Sequence, residues 1–437
     1  MRLGDICSKI GSGATPRGGK EAYSASGIPI IRSQNVLDWS FSSNGLAYLN
    51  DEQARTLSNV EVHQGDILLN ITGDSVARAC IVPSDVIPAR VNQHVAILRP
   101  KEKANATFIL AWLQTNKDLL LKLASSGATR NALTKRMLEG LDINLPSIDI
   151  QNHIAALISL IQSKINLNIK LNGYLLEYLK TYAKTLYCEY ENDKNAILPR
   201  NWRWAEIAEI AGMVCRGIAP KYSDVSDEVV LGQTCVRSNL ILVENGRTHA
   251  PRKKTEKWLK KYDLLINSTG VGSLGRTAQV WFEPKKLVAD SHITIVRTAD
   301  PRYALYLGFW AFKHEKHIES LHTGSTGQTE LPRDYVKTMR LVLPDDKTLN
   351  RFNKIAVPMV ELIVANQREN KRLEEIRDRL LPKLMSGEID VSKIDLMQLN
   401  SHLVQRDSVR SKPVDDVFLD QSFSLRAGAN ICSFTCR

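Results

Sequence analysis

Gly270-Val271-Gly272-Ser273-Leu274-Gly275 has the G-x-G-x-x-G spacing of a dinucleotide loop, with Asp290 standing about 20 residues further on. In such a site the glycines let backbone approach a pyrophosphate at a helix N-terminus, and the acid binds a ribose hydroxyl. The stretch that follows, Arg276-Thr277-Ala278-Gln279-Val280-Trp281-Phe282, reads as a strand where the motif requires a helix, so a nucleotide-dependent enzyme stands only as an alternative. Gly13-Ala14-Thr15-Pro16-Arg17-Gly18-Gly19-Lys20 misses a phosphate loop, because Glu21 stands where Ser or Thr should bind magnesium. His314 and His317 fit no common zinc-hydrolase pattern and read as exposed helix residues. His94 and His292 lie in stretches that alternate apolar and polar residues; no nucleophile or carboxylate accompanies both, which favours a structural role over catalysis.

The elements that position these residues occur twice. Asp66-Ile67-Leu68-Leu69-Asn70-Ile71-Thr72-Gly73 returns as Asp263-Leu264-Leu265-Ile266-Asn267-Ser268-Thr269-Gly270, an offset of 197. His94-Val95-Ala96-Ile97 returns as His292-Ile293-Thr294-Ile295, Gly127-Ala128-Thr129 as Gly324-Ser325-Thr326, and Leu145-Pro146 as Leu343-Pro344, at offsets of 197 or 198. Four blocks in one order at nearly one offset define two copies of one module. The gly-rich stretch of the second copy keeps only one of its glycines, Gly73, in the first, which further weakens a nucleotide site.

Each copy opens with short runs that predict strands, at 28–36, 66–72, 91–98, 264–269 and 292–296, with helices predicted over 108–123 and 303–321. Each closes with one long helix. Ser147 is a candidate N-cap for the first, with an apolar stripe through Ile150, Ile154, Leu157, Ile161, Ile165, Ile169, Leu175, Leu179, Tyr182 and Leu186. Asp345 is the matching cap for the second, followed by Phe352, Ile355, Met359, Ile363, Leu373, Ile376, Leu380 and Leu384. About 40 residues make a helix roughly 60 Å long, too long to bury its stripe against one small domain. The two stripes would bury each other as an antiparallel pair, with Asn366 and Asn370 either in the seam as register-setters or just off it.

The bulk numbers suit a polyanion-binding protein of two or three folded units. The 437 residues carry a net charge of +11, 43% are apolar and 24% charged, and no apolar run approaches the roughly 18 residues of a membrane span. Met1 to Gly11 lacks the plan of a secretory signal, which points to the cytoplasm. The seven cysteines form no C-x-x-C pair, so neither a disulfide framework nor a zinc site is expected. The signatures of an amino-methyltransferase and of a helicase phosphate loop are missing.

Gly11-Ser12-Gly13-Ala14-Thr15-Pro16 and Gly27-Ile28-Pro29-Ile30-Ile31-Arg32 resemble the opening of target-recognition domains in type I restriction-modification specificity subunits. Gly65-Asp66-Ile67-Leu68, Asn92-Gln93-His94, and Leu145-Pro146 with Gln151 and Ile154 continue the pattern, and Leu380-Leu381-Pro382-Lys383-Leu384-Met385-Ser386-Gly387-Glu388-Ile389 resembles the family's C-terminal end. The second helix lacks a counterpart of Gln151, and the second module is entered through Leu198-Pro199-Arg200-Asn201-Trp202, an entry the first lacks, which leaves room for a start upstream of Met1.

The resemblance implies an α+β protein: a target-recognition domain over 1–146, a central spacer helix over 147–192, a second recognition domain over 193–344 and a C-terminal spacer helix over 345–391. Residues 392–437, which end in Cys432 and Cys436, have no counterpart in the family pattern and read as a disordered or aberrant tail. It further implies a non-catalytic chain whose domains each read half of a split double-stranded DNA target. The paired helices would set the gap and dock two modification subunits, which restriction subunits join. No cofactor is expected on this chain; S-adenosylmethionine, ATP and magnesium belong to the partners. The alternatives are a specificity subunit of a different methylation system and a purely structural coiled-coil scaffold.

Bidentate donors read base edges and cations grip phosphates. The candidates in the first domain are Arg17, Lys20, Arg32, Asn35, Arg130, Asn131, Lys135 and Arg136. In the second they are Arg216, Lys221, Arg237, Asn239, Arg252, Lys253, Lys254, Gln328 and Arg333. The cluster Arg252, Lys253, Lys254, Lys257, Lys260 and Lys261 suits phosphate contact, or equally the solubility of a helix.

Overall fold

The computed structural model describes residues 1–394 apart from 17, 19–21, 126–130, 194, 251–256 and 325–328. These residues form two compact units, one built on 1–162 with the described residues from 376 onward, the other on 163–375.

The first unit centres on an antiparallel sheet of β1 (Cys7–Ser12), β2 (Ile67–Asn70), β3 (Ala79–Ile81) and β4 (Val95–Pro100), in the order β1-β4-β2-β3. The second repeats it with β5 (Ala211–Arg216), β6 (Leu264–Asn267), β7 (Thr277–Gln279) and β8 (Ile293–Thr298), in the order β5-β8-β6-β7. Even the bulge recurs, at Ser8 in β1 and at Gly212 in β5.

The central strands are apolar throughout because they serve two cores. Successive side chains of a strand point to opposite faces. Ile67, Leu69 and Leu98 therefore pack against the helix Ala106–Thr115 through Phe108 and Ile109, whereas Leu68, Val95 and Ile97 join a second core. That second core lies against a mixed sheet in which Ile28–Ile31 pairs in parallel with Ala89–Val91. In the other unit Leu264, Ile266 and Val296 face the helix Ala304–Lys313, and Leu265, Ile293 and Ile295 face the core of a mixed sheet with Glu228–Leu231 parallel to Leu287–Ala289.

Three expected elements are divided. The run predicted as one strand over 91–98 is two strands of different sheets, Ala89–Val91 and β4, separated by a turn that ends in His94. Each predicted helix after the sheets breaks in two, at Asn116 and at His314. There a side chain returns to the carbonyl four residues back: Asn116 Nδ2 donates to Trp112 O at 2.9 Å, and His314 Nδ1 meets Trp310 O at 2.7 Å.

The long helices are α1 (Ile148–Thr185) and α2 (Asp346–Ser386). Asp345 caps α2 by accepting from the Thr348 amide at 2.9 Å, and hydrogen bonds from the Thr348 hydroxyl and then its amide hold the carboxyl below the usual range. Gln151 ties the start of α1 to the first unit, with Nε2 donating to Pro146 O and Oε1 accepting from Asn105 N. Leu349 fills the matching place in the second unit and is fully buried.

Within the second unit the helices run antiparallel, since Asn168 meets Asn370 and Asn172 meets Asn366. Within the first unit Ile154, Leu157 and Ile158 share a core with Leu381 and Leu384. The stripe differs from the expected one at Ile150, Ile169 and Ile376, which are 41%, 57% and 48% exposed. Between Ile165 and Leu179 the inward positions fall on Asn168 and Asn172, one step off Ile169. At the other end Arg377, not Ile376, turns inward and donates to Gln162 Oε1 at 2.8 Å.

Candidate nucleic-acid interface

Both units carry the same polar constellation where the chain passes from the mixed sheet to the antiparallel sheet. Asn92 Oδ1 accepts from the His94 backbone N–H at 3.1 Å, closing an Asx turn, and Asp290 Oδ1 accepts from His292 N–H at 2.8 Å. His94 and His292 therefore sit in turns, exposed, and not within strands as the alternation suggested. Thr72 Oγ1 lies 2.7 Å from His94 Nδ1, and Thr269 Oγ1 lies 2.8 Å from His292 Nδ1.

Gly13 and Gly217 complete each turn. A Cβ on Gly13 would lie 2.0 Å from Val91 O, and one on Gly217 would lie 2.1 Å from Asp290 O, so only glycine lets the backbones approach. This closeness permits Gly13 N→Val95 O at 2.9 Å and Gly217 N→Ile293 O at 3.0 Å.

At the end of the same strands remote from each turn, an ion pair on a buried aspartate ties the two strands together. Arg99 donates through Nε and Nη2 to both Asp66 oxygens at 2.8 Å, and Arg297 does the same to Asp263 at 2.7 and 2.6 Å. Neither aspartate side chain is accessible to solvent. The hydrogen bonds that Arg99 donates to Asp66 raise its guanidinium above the ordinary value. The arginines follow the repeat offset of 198 and were the signal that could have exposed this pair; Gly13 and Gly217 follow an offset of 204, which a search at 197 to 198 passes over.

The candidate DNA contacts divide into three groups. Arg17, Lys20, Arg130, Arg252, Lys253, Lys254 and Gln328 lie outside the described residues, as do Cys432 and Cys436. Asn131, Lys135, Arg136, Lys221, Arg237 and Arg333 are exposed; Asn131 stands beside the Thr72 turn, its carbonyl accepting from Gly73 N, and Lys135 pairs with Glu139. Four are spent on the protein itself. Arg32 donates to Gly45 O at 2.5 Å, and Asn35 is fully buried with its amide on Ser42 O. Asn239 is buried and donates to Thr277 O and Glu315 Oε1. Arg216 donates to Glu330 and to Leu331 O, both at 2.7 Å; burial lowers its guanidinium from the usual value, Glu330 opposes, and the neighbouring Arg333 adds to the lowering.

In the basic cluster, Lys257 donates to Gly217 O at 2.9 Å and Lys261 pairs with Glu361 at 3.5 Å. His314 is half-buried against Trp310 and meets Glu191 Oε2 at 3.0 Å, which corrects its expected exposure, while His317 is exposed. The glycine turn over 270–275 leads into β7, a strand, in place of the helix a dinucleotide site needs. Burial pushes the Cys7 and Cys80 thiols up to about 12, removing their thiolates at neutral pH. Among the described residues no group of three His, Cys, Asp or Glu side chains is arranged to hold a metal, and no helix is long and apolar enough to cross a membrane.

Known proteins share this plan. Residues 1–176 match the family described as the type I restriction modification DNA specificity domain. The chain is 23% identical over 415 residues to the type I restriction enzyme MjaIX specificity subunit of Methanocaldococcus jannaschii, covering 90% of this chain and 94% of that one. It is 25% identical over 197 residues to the type I restriction enzyme HindI specificity subunit of Haemophilus influenzae, covering 44% of this chain and 42% of that one. In fold it is similar to the crystal structure of a type I restriction-modification S subunit from M. genitalium, with a TM-score of 0.53, 14% identity, and coverage of 88% of this chain and 95% of that one. The chain is thus similar to type I restriction-modification specificity subunits over most of its length, and its first 176 residues match the family's DNA specificity domain.

Proposed function

We propose that this chain is the DNA-reading component of a type I restriction-modification assembly, in which each unit reads one half of a bipartite double-stranded target. The observation that carries the reading is the duplication: two units with the same sheet order and the same turn constellation, differing in the loops around it. A protein that needed one catalytic pocket would not keep two equivalent faces. The exposed Asn131, Lys135, Arg136, Lys221, Arg237 and Arg333 are the described candidates for DNA contact, and the sequence adds Arg17, Lys20, Arg130, Arg252, Lys253, Lys254 and Gln328.

The chain would bind no cofactor and turn nothing over alone; S-adenosylmethionine, ATP and magnesium would serve the modification and restriction subunits. Leu167, Leu171, Tyr174 and Tyr178 form an exposed apolar stripe on α1 at steps of three and four, turned away from the asparagine seam. This stripe suits docking of a modification subunit, because an exposed apolar face of this kind marks an interaction site.

Exchanging residues 1–145 for the matching domain of another specificity subunit, with methylation mapped in a host that supplies the partners, tests the reading. One half of the methylated motif should change and the other stay. Change of both halves, or of neither, would sink the assignment.

A further inference from the structure

The two histidine turns are the part of the constellation that faces solvent, and they are alike in two units whose surrounding side chains are not. Ser12 of β1 is replaced by Arg216 of β5, Asn92 by Asp290, and Gln93 by Ser291, yet histidine and threonine stand in both. Each ring is held from behind by its threonine. With the hydroxyl donating to Nδ1, the ring proton sits on Nε2, at the opposite edge of an exposed ring. Gln93 Nε2 stands 3.4 Å from His94 Nε2; with the proton on Nε2 the two nitrogens are both donors and share no hydrogen bond, which leaves the Nε2–H for an outside acceptor.

The bond is not needed to join the strands. The backbone already does so, through Ile71 N→His94 O at 3.0 Å and Ser268 N→His292 O at 2.9 Å. What the threonines add is a fixed ring plane.

We propose that His94 and His292 are matched contacts to the DNA backbone, each donating Nε2–H to a phosphate oxygen and so seating its unit on the duplex whatever the base sequence. The proposal rests on the DNA-reading role assigned above. Units that read different half-sites must differ where bases are read and can agree where the common phosphate is gripped, because phosphate contacts position and base contacts specify. Gln93 and Ser291 differ beside the histidines as that division requires. The threonines act as positioning residues, through the rings.

The full chain, assembled with its modification subunits, is the material for the test, against a duplex bearing the mapped target and a random-sequence duplex of equal length. His94→Ala and His292→Ala should each weaken binding to both duplexes by about tenfold, the size of one charge-assisted hydrogen bond. The methylated motif and the melting temperature should not change, and His94→Gln, which keeps a donor, should recover part of the loss. His317→Ala, an exposed histidine away from either turn, serves as the control. Binding within about twofold of the unaltered protein, loss confined to the target duplex, or loss that tracks a fall in melting temperature each overturns the proposal. Failure of the unaltered assembly to bind either duplex overturns the DNA reading itself, and this inference with it.

Discussion

Asn168 Nδ2 donates to Asn370 Oδ1 at 2.8 Å, and Asn366 Nδ2 donates to Asn172 Oδ1 at 2.8 Å. The two bonds are one bond repeated: 366 minus 168 and 370 minus 172 both give 198, the spacing of the modules. A buried amide pair in an apolar seam sets register, since sliding either helix by a turn would re-form only one asparagine pair and leave two amides without partners. Asn168→Leu orphans the Asn370 carbonyl and should cost about 1–3 kcal/mol, whereas Asn168→Leu with Asn370→Leu should recover much of that loss. Denaturant midpoints of the single and double variants decide it; additive losses would show that the pair is not coupled.

Asp66 and Asp263 depend on their arginines. Arg99→Leu or Arg297→Leu would leave an inaccessible carboxylate without its bidentate partner, a change that should destabilise the affected unit by about 3–5 kcal/mol. Thermal unfolding of each variant is the check. A loss below about 1 kcal/mol would mean that the aspartate finds water.

Asp290 stands where the first unit has Asn92, and burial raises its carboxyl above the ordinary value near 3.8, against the lowering effect of the His292 amide. A carboxyl whose folded value is raised binds its proton more tightly in the native state. Its contribution is best in acid and worsens as pH climbs from the unfolded to the folded value, then stays constant. Asp290→Asn keeps the acceptor for His292 N–H and loses the buried charge. It should therefore raise the melting temperature at pH 7, with a gain that shrinks in acid. A variant that is less stable at pH 7 would show that the charge is compensated.

The helices should behave as a ruler. Removing one heptad from α1 and the matching heptad from α2 keeps the seam in phase and shortens each by roughly 10 Å at 1.5 Å per residue. At about 3.4 Å per base pair the unread gap should shorten by up to about three base pairs, with both half-sites unchanged. Mapped methylation that retains the original gap in an assembled, active protein would remove the spacing role from the helices.

The duplication was legible because apolar strand blocks and their polar ends recur in order, and Asp345 was legible as a cap because its type and place suffice. The seam was not. Periodicity favours the apolar residue of two neighbours, so Ile169 was read in place of Asn168, and Ile376 in place of Arg377. Asn366 and Asn370 stand out on α2, whereas their partners Asn168 and Asn172 on α1 do not, because in sequence a buried amide is indistinguishable from a surface residue. The histidine turns were hidden inside an alternating run because Asn92 Oδ1 closes the turn, a bond that no alternation records. Among the DNA candidates, Arg32, Arg216 and Asn239 are held by carbonyls 13, 115 and 38 residues away, distances at which local pattern carries no information.

The glycines beneath the turns divide each unit into what can vary and what cannot. Position 13 admits no side chain, since the first carbon would already overlap Val91 O, and position 217 is closed in the same way by Asp290 O. Randomising the segment that follows Gly13 should yield many folded clones with altered recognition, whereas a library that also randomises position 13 should yield folded clones only where glycine returns. On the DNA-reading role proposed above, new specificities would be reached by exchanging what hangs from the anchor, and Gly13 and Gly217 would mark where that freedom begins.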